Sequence, residues 1–237
     1  MKKIAVCSEE IPRAALRSLE REGFFVLLLP PHPALPKTVA CHADILTSAL
    51  DSTLFFDKIY CETYPEVVSS IASSADCRVV TTEETLCGKY PGDVLFNVLI
   101  GPDFALGHSS SSKTLREAVA SSGRRFIEVK QGYAACSTLF TGTFLVSSDE
   151  GICRAASQFC DVLRISAGHV RLDPYDTGFI GGASGFDGER AFFVGDIFSH
   201  PDGKKIAAHL AERGVRCVSL ADGELVDIGG IKFINIK

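Results

Sequence analysis

The sequence has no long hydrophobic run. Its longest wholly apolar stretch, Phe24 to Pro31, falls far short of the ~20 residues a membrane-spanning helix requires. The basic start Met1-Lys2-Lys3 is soon followed by Glu9 and Glu10 instead of the apolar segment of a secretory signal. No membrane partner and a cytoplasmic location are therefore expected. Nor does the chain have an excess of positive charge. Its 24 basic against 29 acidic side chains give a formal charge of −5, which argues against broad binding to nucleic acid, since that needs a basic footprint. The patch Arg124, Arg125 and Lys130 is small and reads as a solvated face.

Two familiar patterns are also missing. No pair among the nine cysteines has C-x-x-C spacing, and an odd number cannot all pair within one chain, so neither a zinc ribbon nor a disulfide framework is expected. No His, Cys or Asp cluster shows metal-ligand spacing in the sequence, and no metal is expected. No G-x-G-x-x-G follows the first apolar segment, Ile4–Cys7, so the phosphate-cradling turn of a dinucleotide site is absent and no cofactor is expected.

What is present is repetition. With 46% hydrophobic and 22% charged residues the chain can build a substantial core. Amphipathic helix patterning covers residues 12–22, 65–74, 113–122, 150–159 and 201–213. Each such stretch is preceded by an apolar strand-like run (4–7, 54–61, 103–106, 144–147, 190–194) and followed by another (24–29, 78–81, 125–129, 161–165, 215–220). A further strand opens each unit, starting at Asp44, Asp93, Ser137, Gly178 and Asp227. The last unit lacks its second strand and the chain begins with a spare one, so the N-terminal strand should complete the C-terminal unit. The reading is an α/β chain of five ββαβ units forming a single domain over 1–237. An open doubly wound sheet would leave the fifth unit incomplete.

Two short motifs lie at unit entrances. His42-Ala-Asp44 opens the first unit. On a strand, residues i and i+2 share a face, and a carboxylate beside an imidazole favours imidazolium. Ala135-Cys136-Ser137 opens the unit two further on. Around a fivefold axis both entrances point at one central volume, where a thiol beside an imidazole could attack a trigonal carbon. Asp93, Asp176 and Asp227 also stand at entrances, and Asp227, before Ile-Gly-Gly, suits a turn equally well. Most positions four beyond the entrances, Asn97 among them, are small or polar. The glycines Gly178, Gly181, Gly182, Gly185, Gly229 and Gly230 suggest close backbone approach. His169 and His200 lie in loops, and His32, between prolines, reads as part of a rigid loop.

Five ββαβ units with these two motifs resemble the pentein fold, the β/α-propeller of the guanidine-modifying enzymes, with pseudo-fivefold symmetry. The phrases Lys130-Gln-Gly-Tyr-Ala-Ala-Cys-Ser137 and Gly178-Phe-Ile-Gly-Gly182 resemble an uncharacterised bacterial branch of it. The resemblance implies a thiol-dependent hydrolase or amidinotransferase-like enzyme acting on a cationic guanidine or amidine. It implies Cys136 as nucleophile, His42 as acid and base, Asp44 on a guanidinium N–H, and Asp93, Asn97, Asp176 and Asp227 as substrate-binding candidates. The chain departs from the catalytic members in placing its Cys centrally, and in having Gln131-Gly-Tyr-Ala-Ala where they carry glycines. The alternative is a non-catalytic binding protein like the translation initiation factor 6 branch of the fold.

Overall fold

The computed structural model describes residues 3–235. The chain opens with β1 (Lys3–Ser8), α1 (Arg13–Arg21) and β2 (Phe24–Leu29). A long loop then leads through the short α2 (Ala43–Leu46) into β3 (Ser48–Leu50) and β4 (Thr53–Asp57), followed by α3 (Lys58–Thr63), α4 (Pro65–Ala75) and β5 (Arg78–Thr82). The next unit is β6 (Leu99–Ile100), β7 (Phe104–Gly107), α5 (Lys113–Ser121) and β8 (Arg125–Glu128). After it come β9 (Thr138–Phe140), β10 (Phe144–Ser147), α6 (Glu150–Ala156) and β11 (Asp161–Arg164). A small strand β12 (Val170–Arg171) precedes β13 (Ser184–Phe186), β14 (Arg190–Phe193), α7 (Gly203–Glu212) and β15 (Arg216–Ser219), and the described chain closes with β16 (Leu225–Val226) and β17 (Lys232–Asn235).

These strands make five three-stranded sheets and one two-stranded pair, β12 with β16. In every three-stranded sheet the middle strand pairs antiparallel with the first strand of its unit and parallel with the strand after the helix, as in Leu54 opposite Ala49 and Val79. A parallel pair needs a crossover, and the helix supplies it. The fifth sheet is completed as the repeat demands: β1 pairs antiparallel with β17, Val6 opposite Lys232, and parallel with β2. This is the α/β arrangement of the pentein fold.

Burial explains why the pattern was legible. Middle strands β7, β10 and β14 are buried at every position, so they read as continuous apolar runs. The helices bury one face each, through Ala15 and Leu19 in α1, Leu115 and Val119 in α5, and Ile206 and Leu210 in α7, the i, i+4 spacing of a helix lying on a sheet.

Two expectations need correction. The strand read over 54–61 stops at Asp57, because that carboxylate accepts the N–H of Tyr60 at 2.8 Å and caps α3. The same side chain accepts from Leu86 N–H at 2.9 Å and lies 3.0 Å from His32 Nε2. His32 is thus a buried anchor of the loop that leads to His42. Burial pushes the Asp57 carboxyl up, but the bonds from His32, Tyr60 and Leu86 outweigh it and hold it below its usual value.

The second correction concerns where the first strands begin. Asp44, Asp93, Ser137, Gly178 and Asp227 all precede them. His42 is the N-cap of α2 and Asp44 lies in its first turn, so the two are not neighbours on one strand face. These entrance segments turn tightly: Ile45 and Leu46 N–H return to His42 C=O, and Gly229 and Gly230 have φ of +76° and +74°.

The turns crowd together. A Cβ on Gly181 would lie 2.3 Å from Thr138 C=O, 2.5 Å from Ala135 C=O and 2.6 Å from Cys136 C=O. None of these backbone atoms can move aside cheaply. Gly181→Ala should therefore destabilise the protein by about 1–3 kcal/mol or more, read as a lower denaturant midpoint. Gly151→Ala, whose Cβ would meet only the Asp149 carboxylate at 3.2 Å, should leave the midpoint nearly unchanged.

Candidate functional site

The five first strands all contribute to the wall of one central cavity of about 260 Å³. At one end of it the entrance turns of four units are stitched together by backbone hydrogen bonds. Asp44 N–H donates to Gly229 C=O at 3.0 Å, Gly182 N–H to Cys136 C=O at 2.9 Å, and Gly230 N–H to Gly182 C=O at 2.7 Å. Close approach of these turns brings side chains distant in sequence into one cluster.

Cys136 is held by its backbone. Ser137 N–H returns to Tyr133 C=O and Thr138 N–H to Ala135 C=O, closing a tight turn. The carbonyl oxygen of Asn97 accepts the N–H groups of both Ala135 and Cys136, at 2.8 and 3.1 Å. Asn97, expected on the substrate, thus positions the cysteine. The Cys136 thiol donates toward Asp227, with Sγ 3.4 Å from Oδ2 and 3.8 Å from Oδ1. Asp227 is fixed in turn by Phe179 N–H on Oδ2 at 2.8 Å and Gly229 N–H on Oδ1 at 2.9 Å. Both readings of Asp227 therefore meet in one residue: it shapes a turn and faces the thiol. His42 Nδ1 lies 3.8 Å from Asp227 Oδ1.

His42, Asp44 and Cys136 present side-chain N, O and S atoms within 4.8 Å of one another. The expected meeting of the His42-Ala-Asp44 and Cys136 entrances is thus present, as a set of donors from two separate turns. Such a mixed donor set would also suit a soft divalent cation. The cluster is buried: His42, Cys136 and Asp227 are each 4% exposed and Asp44 5%. Both Asp44 carboxylate oxygens lack a hydrogen-bond partner.

Burial dominates the ionisation. It pushes the Cys136 thiol well above the ordinary range, and the neighbouring Asp227 and Asp44 carboxylates push the same way. It pulls His42 below the usual imidazole value, against the opposing pull of Asp227 and Glu10. Asp44 and Asp227 are both raised, by burial first. For Asp227 the His42 ring opposes this and the Asp44 charge adds to it, whereas for Asp44 the Cys136 thiol and then Lys232 work against it. The cluster thus favours a neutral thiol and neutral imidazole, with two acids that resist ionising together. A cation between the carboxylates would favour ionising the acids and the thiol while itself keeping the imidazole neutral.

The remaining candidates are distributed differently. Asp93 is buried one turn away and accepts the Tyr133 O–H at 2.7 Å, bracing the cysteine loop. Asp176 is exposed in the loop after β12, outside the cluster. Lys232 was missed. It stands half-buried on β17, lines the central cavity with Asp44, and is subject to the charges of Asp44 and Cys136. The available signal was a single cation within an otherwise apolar strand, Ile231-Lys-Phe-Ile234.

Comparison with known structures places this geometry. A dimethylarginine dimethylaminohydrolase from Pseudomonas aeruginosa, in complex with citrulline, aligns over 92% of each chain with a TM-score of 0.58 and 12% identity. An amidinotransferase of saxitoxin biosynthesis from Microseira wollei aligns over 91% of this chain and 87% of its own, with a TM-score of 0.59 and 10% identity. Agmatine deiminase from C. jejuni aligns over 93% and 86%, with a TM-score of 0.52 and 10% identity. At these identities the likeness establishes the pentein fold. The curated proteins gave no match in sequence. A family model does match, over residues 6–232, and so the chain belongs to the family of unknown function DUF6873, a branch of the pentein fold.

Proposed function

We propose that the protein is a cysteine-dependent enzyme acting on a guanidino or amidine compound, with Cys136, His42, Asp44 and Asp227 at its site and the whole chain as one domain. The observation that carries this reading is a buried thiol beside two buried carboxylates, Asp44 and Asp227. A guanidinium matches that environment. It is planar, permanently charged and rich in N–H donors that pair with carboxylates by charge-assisted bonds. The relatives in the pentein fold support the same chemistry, being named for dimethylarginine, agmatine and amidino transfer.

In this reading the bound cation ionises Asp44 and Asp227 and lowers the cost of a thiolate beside them. The Cys136 thiol gives its proton to His42, and sulfur forms a bond to the guanidino carbon. The C–N bond to the departing amine then breaks as His42 returns the proton to that nitrogen, leaving an S-alkyl thiouronium on Cys136. Water, losing a proton to His42, attacks the same carbon. The C–S bond breaks and the thiolate recovers its proton, releasing a ureido product. An amine in place of water would give amidino transfer. Asn97 acts by holding the Cys136 backbone.

The neutral resting state of the cluster favours a second reading, a protein that binds a guanidinium without turning it over. Turnover of a panel of guanidino compounds separates the two. The enzymatic reading expects product from the unaltered chain and none from Cys136→Ala. It expects Asp44→Asn to weaken substrate binding about 10–100-fold, the worth of a hydrogen bond to a charged group. Binding without product from the unaltered chain would leave the second reading.

The thiol itself can be followed without a substrate. Because burial and two carboxylates raise Cys136, peptide-resolved iodoacetamide labelling at this residue should stay slow at neutral pH and climb only above the usual thiol range. Asp227→Asn removes a negative charge beside the developing thiolate, so the midpoint should move down and labelling at pH 8 should quicken, about tenfold for each pH unit moved. An unchanged profile in Asp227→Asn would separate the thiol from that carboxylate.

A further inference from the structure

The cluster stands between two spaces. His42 and Asp227 border a pocket of about 170 Å³ that is also lined by Ser8, Glu10, Arg171 and Asp173. Asp44 borders the central cavity instead, together with Lys232, Ser48, Thr138 and Ser184. A planar guanidinium held by both carboxylates lies at the boundary, and its nitrogen substituents diverge, so one of them is directed into the central cavity. At about 260 Å³ that cavity exceeds the ~30 Å³ share of a single water many times over.

Among the described residues, Lys232 Nζ makes no hydrogen bond or ion pair within 4.0 Å, and the Thr138 hydroxyl, buried, also has no partner. Leu99, Phe140, Phe186 and Phe233 supply apolar wall. The Asp44 carboxylate, ahead of Cys136, is the charge that opposes the ammonium. A guanidinium takes that carboxylate for itself. Lys232 is then left beside a second cation in a cavity walled by hydroxyls and apolar groups alike, a costly state unless the ligand brings an anion of its own.

We propose that the central cavity is a subsite for an anionic substituent on the guanidino group, with Lys232 as its counter-ion and the hydroxyls of Thr138 and Ser48 as its donors. This rests on the guanidine reading above and narrows it. The substrate class becomes short guanidino acids, in which a carboxylate, sulfonate or phosphoryl group lies within a few bonds of the guanidino nitrogen. Burial pulls the Lys232 ammonium below its ordinary pKa, against Asp44 and Cys136. An anion in the cavity opposes that pull.

Calorimetric titration of the Cys136→Ala chain, which cannot turn substrate over, tests this with two probes of similar size. Guanidinoacetate should bind at least tenfold more tightly than methylguanidine. Lys232→Met should abolish the difference between the two probes, and Lys232→Arg should retain it. Lys232→Gln gives the same comparison should the methionine variant not fold. Equal affinities in the Lys232 chain, or a preference that survives removal of the amine, would overturn the subsite and leave the guanidine reading standing. Binding of neither probe would remove the guanidine reading, and the subsite with it.

Discussion

The Asp227 carboxylate is the point on which the centre of the molecule depends. One oxygen accepts Phe179 N–H and the other accepts Gly229 N–H, so two entrance turns close on it. The same oxygens face the Cys136 thiol and the His42 ring. The space around it is made by glycine: a Cβ at Gly178 would sit 2.5 Å from Asp227 Cβ, and one at Gly182 would sit 2.0 Å from Oδ1. An acid so enclosed is raised by burial, and the His42 ring together with the two backbone donors works against that rise. One group therefore fixes loop shape, thiol ionisation and imidazole position together, and a change at Asp227 cannot be confined to any one of these.

The scaffold was legible because its signals are local. Helix α1 shows its buried face in Ala15 and Leu19, and the strand Phe144–Ser147 shows its burial on both sides as an unbroken apolar run. Even the pairing of β1 with β17 followed from counting strands. The entrances were less legible. His42-Ala-Asp44 reads as a strand opening, yet three residues cannot declare whether they will turn or extend. The return of Ile45 and Leu46 N–H to His42 C=O, which makes the turn, is a backbone event.

Individual side chains at the centre were harder still. Asn97 and Cys136 meet because a carbonyl oxygen reaches two backbone N–H groups across units, a contact with no counterpart in sequence spacing. Asp176 and Asp227 both read as acids near unit entrances, but Asp176 lies in an exposed loop while Asp227 is enclosed by glycines. Lys232 was hidden for the opposite reason. A lysine in a short strand ordinarily marks a solvent edge, and only the arrangement of all five first strands around one cavity turns it inward.

That inward position gives strand register an electrostatic meaning. Lys232 faces the cavity because it stands opposite Val6 in the antiparallel pairing of β17 with β1. Side chains alternate along a strand, so a slip of one residue would turn the ammonium to the other face and offer the acids an isoleucine or a phenylalanine in its place. The charge balance of the centre is thus set by a backbone ladder between segments from opposite ends of the described chain, and it exists only once that longest-range pairing has locked into its single register.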